Sequence, residues 1–179
     1  EVILSNQGYA CYKNFVLGAH AKPVNVPLKA ENGFQYQVED IKEKITENTA
    51  AIFINSPMNP TGIVLEESFM KEVSQLGVPV ISDEIYHGLV YEGKAHSILE
   101  YTDNAFVLNG FSKRFAMTGL RLGYLIAPKQ YMPALQKLAQ NFLICASSTA
   151  QKAGIAALRD TSDYEQTMFN TYNERRLYL

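Results

Sequence analysis

The chain carries three short runs that are apolar almost throughout, AIFIN (51–55), VPVISD (78–83) and AFVLNG (105–110). A strand with no polar face has nothing to give to water, so it must be covered on both sides. Between these runs the period changes. VEDIKEKIT (38–46) places Val38, Ile41 and Ile45 at helical spacing, and LEESFMKEVSQL (65–76) is helical again. EVILS (1–5) and PVNVPL (23–28) read as further strands, the second pushed toward a sheet edge by Pro23 and Pro27. LRLGYLIAP (120–128) reads as one more buried strand, a hairpin partner for 105–110, and helices fill most of 129–179. Strands that alternate with helices in this way specify an α/β fold, a three-layer α/β/α arrangement around a mostly parallel sheet.

Sheets of this kind bind ligands beyond the carboxyl ends of their strands. AIFIN is followed by SPMNPTG, VPVIS by DEIYHG, and AFVLNG by FSKR. The three strands thereby deliver Asn59, then Asp83 and Tyr86, then Ser112 and Lys113 to one edge. Arg121 stands eight residues past Lys113, between Leu120 and Leu122, where a strand arginine needs an anionic partner. Lysine becomes a nucleophile when its amine loses its proton, and it then forms a Schiff base with an aldehyde. An aldehyde cofactor with a pyridine ring and a phosphate needs three more partners. A carboxylate must hold the ring nitrogen protonated, a guanidinium suits the phosphate, and donors should meet the phenolic oxygen. Asp83, Arg121, and Tyr86 with Asn59 match these jobs in turn. Singly, each residue also has a structural reading: a solvated loop lysine, a helix N-cap at Asp83 and Glu84, a turn at NPTG, a core tyrosine. Convergence on one edge is what singles them out.

Composition removes other classes. With 16 basic and 18 acidic residues there is no basic excess for a nucleic-acid surface. The apolar runs are too short to span a bilayer. Three scattered histidines lack ligand spacing, so no metal site is expected. Cys11 and Cys145 form no CxxC pair and suit a reducing compartment, so a cytoplasmic location is expected. No G-x-G-x-x-G follows the first strand, which disfavours a plain nucleotide-binding domain. The chain opens directly on a strand and closes inside a helical pattern, TMFNTYNERRLYL, as expected of a piece of a longer protein.

SPMNPTG, ISDEIY and NGFSKRFAMTGLRLGY, in this order, resemble the signature blocks of the class I/II aminotransferases, the fold-type-I pyridoxal-phosphate enzymes. The likeness extends to NQGYACY near the start and SSTAQKAGIAAL near the end. It implies pyridoxal 5'-phosphate as cofactor and an amino acid and a 2-oxo acid as substrates. It implies Lys113 as the Schiff-base lysine and proton carrier, and Asp83 as partner of the pyridine nitrogen. Tyr86 and Asn59 become donors to the phenolic oxygen, Arg121 and Ser112 phosphate ligands, and Tyr9 a ring stacked on the cofactor or a plain core tyrosine. Many relatives have serine three residues before the lysine, where this chain has Gly110, and tryptophan before the arginine, where it has Leu120. The resemblance assigns residues 1–160 to part of the cofactor-binding large domain and 161–179 to the start of the helix leading to a small domain. It implies a homodimer for the complete protein. Two rivals use the same residues: a carbon–sulfur lyase on the same fold, and a non-catalytic aminotransferase-like regulatory domain.

Overall fold

The computed structural model describes residues 1–159 and 162–179. The strands β1 (Val2–Ser5), β2 (Pro23–Val26), β3 (Ala51–Asn55), β4 (Val80–Asp83), β5 (Ala105–Gly110) and β6 (Gly123–Ile126) form one sheet in the order β2-β1-β3-β4-β5-β6. Neighbours are parallel from β2 through β5, and β6 runs antiparallel to β5, with Gly110 opposite Gly123. Pro23 opens the edge strand β2, which pairs only with β1, so its missing N–H costs no ladder bond toward a second neighbour.

Strand alternation sorts the side chains into two layers. Ile52, Ile54, Val80 and Val107 point to one face, under α2 (Val38–Lys42) and α3 (Glu67–Ser74), whose Val38, Ile41, Phe69, Met70 and Val73 complete that core. Leu4 and Phe53 point to the other face, under Tyr12 and Val16 of α1 (Cys11–Gly18), with Ile81 and Leu108 packed alongside. Each fully buried Ile or Val contributes about 1.5–3 kcal/mol of transfer free energy, which makes β3, buried at every position, a centre of stability.

Helices α4 (Met132–Phe142), α5 (Ser148–Arg159) and α6 (Ser162–Tyr178) fill the C-terminal third. α5 packs through Gly154 against the segment between β5 and β6, where an added Cβ would sit 2.6 Å from Leu122 Cδ2 and 3.4 Å from Phe111 Cζ. α6 meets the loop after β4: Phe169 packs on Tyr91 at 4.9 Å between ring centroids, and Arg176 Nη1 lies 2.9 Å from Glu92 Oε1. The expected domain division at 160/161 falls outside the described residues.

Two expectations are corrected. The last strand is shorter than 120–128, and Arg121 is not in it. Gly110 pairs with Gly123 and the Phe111 N–H still reaches the Leu122 carbonyl at 3.2 Å, but the chain before Leu122 turns. It does so through a 3₁₀ turn at Thr118–Leu120 and a left-handed Arg121, with φ 50°. Nor is β6 buried: all four of its residues are exposed, whereas β2 at the opposite edge is mostly covered, so β6 lacks cover on its faces and not just a neighbour.

Candidate active site

Asn55 ends β3 directly opposite Asp83, which ends β4. Its buried amide organises the loops beyond both strands. Nδ2 donates to the Asp83 carbonyl at 2.8 Å, and Oδ1 accepts the Asn59 N–H at 2.8 Å. The NPTG loop is thus tied to its own strand and to the next one. Asn59 in turn directs Nδ2 toward the Tyr86 hydroxyl, at 3.4 Å.

No helix follows Asp83. The DEIY segment is a turn in which Asp83 Oδ1 accepts the Ile85 N–H at 3.0 Å and the Glu84 N–H donates to the Leu108 carbonyl at 2.8 Å. Asp83 Oδ2 accepts the Tyr12 hydroxyl at 2.6 Å. The carboxylate therefore has a donor on each oxygen. Burial and the Asp83 charge drive the Tyr12 hydroxyl well above the ordinary tyrosine range, so it stays protonated and serves as a donor. Glu84 turns the opposite way. Its carboxylate is buried, and Oε1 accepts from Ser82 Oγ, Ser97 Oγ and the Ile98 N–H at 3.0, 3.1 and 3.0 Å.

Lys113 follows β5 in a compact turn closed by Ala116 N to Lys113 O and Met117 N to Phe111 O, each 3.2 Å. Its Nζ stands 5.7 Å from the Tyr86 ring centroid, within cation–π range. Asn59, Tyr86, Ser112 and Lys113 all line one cavity of about 790 Å³, which Tyr172 and Arg176 of α6 also reach. That volume suits a small-molecule ligand.

The other sequence-selected residues flank this cavity rather than line it. Asp83 faces α1. Tyr9, 44% exposed, meets Tyr12 edge-on at 5.4 Å, and its hydroxyl is raised by a bond to Cys11, with Tyr86 and Asp83 adding to the shift. Arg121 is exposed and donates from Nη1 to the carbonyl of Thr118, itself a cavity residue, at 2.9 Å. A guanidinium has five donors, so this bond leaves capacity for an anion. At Gly110 an added Cβ would lie 3.0 Å from both Gly123 Cα and Leu122 O, so the serine common here in relatives would be crowded by β6.

Three contributors were not singled out from sequence. Asn55 had a signal, a polar residue closing an otherwise apolar strand. Glu84 had one too, a second acid beside the first. Tyr12 had none beyond its place in NQGYACY.

The sequence profile described as "Aminotransferase class I and II" matches residues 1–179. The chain is 40% identical over 181 residues to a (5-formylfuran-3-yl)methyl phosphate transaminase of Methanocaldococcus jannaschii, covering 98% of this chain and 46% of that protein. It is 39% identical to an aspartate aminotransferase of Sulfolobus acidocaldarius, with 98% and 46% covered. The solved aspartate aminotransferase of Thermus thermophilus with maleate superposes at a TM-score of 0.94 and 31% identity, over 98% of this chain and 48% of that one. The chain thus spans about half the length of the curated relatives it matches. With a matching profile from end to end and a shared fold, the chain belongs to the class I and II aminotransferases.

Proposed function

We propose that the whole protein to which this chain contributes is a pyridoxal 5'-phosphate-dependent aminotransferase, moving an amino group between an amino acid and a 2-oxo acid. The observation that carries this reading is one cavity at the carboxyl edge of a parallel sheet that holds Lys113, Tyr86, Asn59 and Ser112 together. The donor set around it fits such a cofactor. Asp83 has donors on both oxygens yet keeps lone pairs for a ring N–H, since a carboxylate offers about four acceptor sites. Tyr86 and Asn59 present two polar groups 3.4 Å apart, suited to a shared phenolate oxygen.

When bound, the cofactor supplies an aldehyde that captures amines and a ring that takes up an electron pair. Lys113 would be the amine that holds the aldehyde, and its Nζ would be the group that carries the substrate's α proton. Asp83 keeps the ring nitrogen protonated. Tyr86 and Asn59 would donate to the phenolic oxygen, and Arg121 with Ser112 would hold the phosphate. Tyr9 would stack on the ring. The products leave in sequence, one oxo acid before the second substrate enters, so ping-pong kinetics are expected. A homodimer, a cytoplasmic location, and α6 as the start of a helix leading to a second, small domain complete the proposal.

Borohydride trapping tests it. The whole protein is incubated with pyridoxal phosphate, reduced and digested, and the modified residue is found by mass spectrometry. A single adduct on Lys113 is expected. Labelling spread over other lysines, with Lys113 unmodified, refutes the reading.

A further inference from the structure

We propose that Arg114 is a positioning residue for Lys113, its side chain clamping the lysine's turn between the loop that carries Tyr86 and helix α6. This rests on the cofactor reading above. The turn from Lys113 is closed by the Ala116 N–H, which donates to the Lys113 carbonyl at 3.2 Å, and Ala116 sits in the left-handed region with φ 51°. A residue with a side chain is strained there, so the turn needs support from outside itself. Arg114 supplies it on two sides.

On one side its stem lies across Gly88, just beyond Tyr86 in the chain. A Cβ added at Gly88 would sit 2.7 Å from Arg114 Cδ, 2.9 Å from Nε and 3.2 Å from Cγ, so any larger residue would push the stem aside. The φ of 91° at Gly88 asks for glycine as well. On the other side, Glu165 Oε2 of α6 accepts from Arg114 Nε at 2.8 Å and also from Nη2. Two charge-assisted donors on one oxygen fix the guanidinium plane, 5.4 Å from the centroid of the Phe115 ring. Phe169, Tyr172 and Arg176 follow Glu165 on the same face of α6 by helical spacing. Phe169 and Arg176 meet Tyr91 and Glu92 of the loop that carries Tyr86. Lys113 and Tyr86 thus stand on two segments that Arg114 and α6 hold together, and the 5.7 Å from Nζ to the Tyr86 ring is set across that joint. An arginine kept for surface charge alone would leave its stem in solvent, and its ion pair would add little.

The test times capture at Lys113 in the whole protein. Cofactor-free protein is mixed with pyridoxal phosphate and reduced with borohydride at intervals, and the adduct on Lys113 is counted by mass spectrometry. The urea midpoint, kcat and KM are measured alongside. Arg114→Ala should capture about tenfold more slowly, the scale of one hydrogen bond to a charged group, and lower kcat by a similar factor with KM changed less. Glu165→Gln should slow capture about threefold, because an amide oxygen still accepts from the guanidinium, more weakly. The double variant should be no slower than Arg114→Ala, since the clasp has already gone. Urea midpoints should stay close to the parent's throughout, as for other exposed ion pairs. Unchanged capture in Arg114→Ala overturns the proposal. So does slow capture accompanied by a collapse of the urea midpoint in both single variants, which marks a structural role. Faster capture in Glu165→Gln also overturns it, because Arg114 would then act as a bare charge attracting the phosphate. In each of these cases the cofactor reading stands. No adduct on Lys113 in the unsubstituted protein overturns both.

Discussion

Glu84 is 3% exposed and, among the described residues, pairs with no lysine or arginine; His87 Nδ1, 3.5 Å from Oε2, is its nearest cationic candidate. Its carboxylate is stabilised instead by the group of three donors on Oε1. Two of these, Ser97 Oγ and the Ile98 N–H, open the capped 3₁₀ turn at Ile98–Glu100, where Ser97 and Glu100 form a capping box. Glu84→Ala removes the acceptor from all three donors. The hydroxyls of Ser82 and Ser97 can rotate to other partners, but the Ile98 N–H, on a residue with no exposure, cannot reach water. One stranded buried donor costs about 1–3 kcal/mol, and the two hydroxyls with the lost side-chain volume bring the total to roughly 3–5 kcal/mol. Glu84→Gln is different. Its amide oxygen can take the place of Oε1 and keep all three donors, at a cost of about 1 kcal/mol for the weaker neutral bonds. Urea titration, with the slope checked for constancy, should therefore separate the variants by about 2 kcal/mol or more. An Ala variant no worse than the Gln variant would refute the claim that satisfied donors, rather than the charge, hold this residue in place.

Gly110→Ala should destabilise by about 1–3 kcal/mol, because its Cβ meets Gly123 Cα and Leu122 O at 3.0 Å, and both are backbone. A melting curve indistinguishable from the parent's would show that β6 can move away. Burial lowers the His87 pKa, with Glu84 opposing. The folded state then resists protonation, so the stability His87 contributes is complete above about pH 6.5 and is lost as pH falls toward its depressed value. His87→Asn should flatten the stability profile below pH 6.5 by at most about 1.4 kcal/mol per pH unit, and parallel profiles would count against the burial argument. The 179-residue chain alone should bind pyridoxal phosphate more weakly than the whole protein, since it spans about half of its relatives. Tight stoichiometric binding by the chain would contradict this.

The central strands were legible because their requirement is local: AIFIN and AFVLNG have no polar face, and only a covered parallel sheet accepts them. Asn59, Tyr86, Ser112 and Lys113 were legible for a related reason, since the residues after such strands share an edge whatever the loop details. Arg121 was read inside a strand, whereas it stands in the turn before β6. LRLGYLI reads as one mostly apolar run, and the stop comes from the left-handed backbone at Arg121, which the pattern does not announce. The exposure of β6 was illegible too, because GYLI has the same composition whether or not anything covers it. α1 buries just Tyr12 and Val16, too few positions to announce a helix face by period.

The pair Asp83–Glu84 marks where sequence reading had to stop. The two acids are adjacent and chemically alike, and either would serve as a carboxylate at a strand end. Period-two alternation sends them to opposite faces. Asp83 goes toward α1, where Tyr12 and the Ile85 N–H leave it lone pairs for a ligand; Glu84 goes toward Ser82 and Ser97, where three donors on one oxygen tie it into the fold. The division of labour is therefore set by what each face offers. Glu84, with three donors on one oxygen, anchors the turn at Ile98–Glu100, and under the proposed function Asp83, with one donor on each oxygen, would keep lone pairs for the cofactor. Exchanging the two, as Asp83→Glu with Glu84→Asp, keeps composition and charge and should still abolish cofactor binding, because the longer acid would crowd the 2.6 Å contact with Tyr12 and the shorter one would fall short of the Ile98 N–H. Retention of full binding by the exchanged protein would mean that the edge tolerates either acid and that the hydrogen-bond partners of each are incidental.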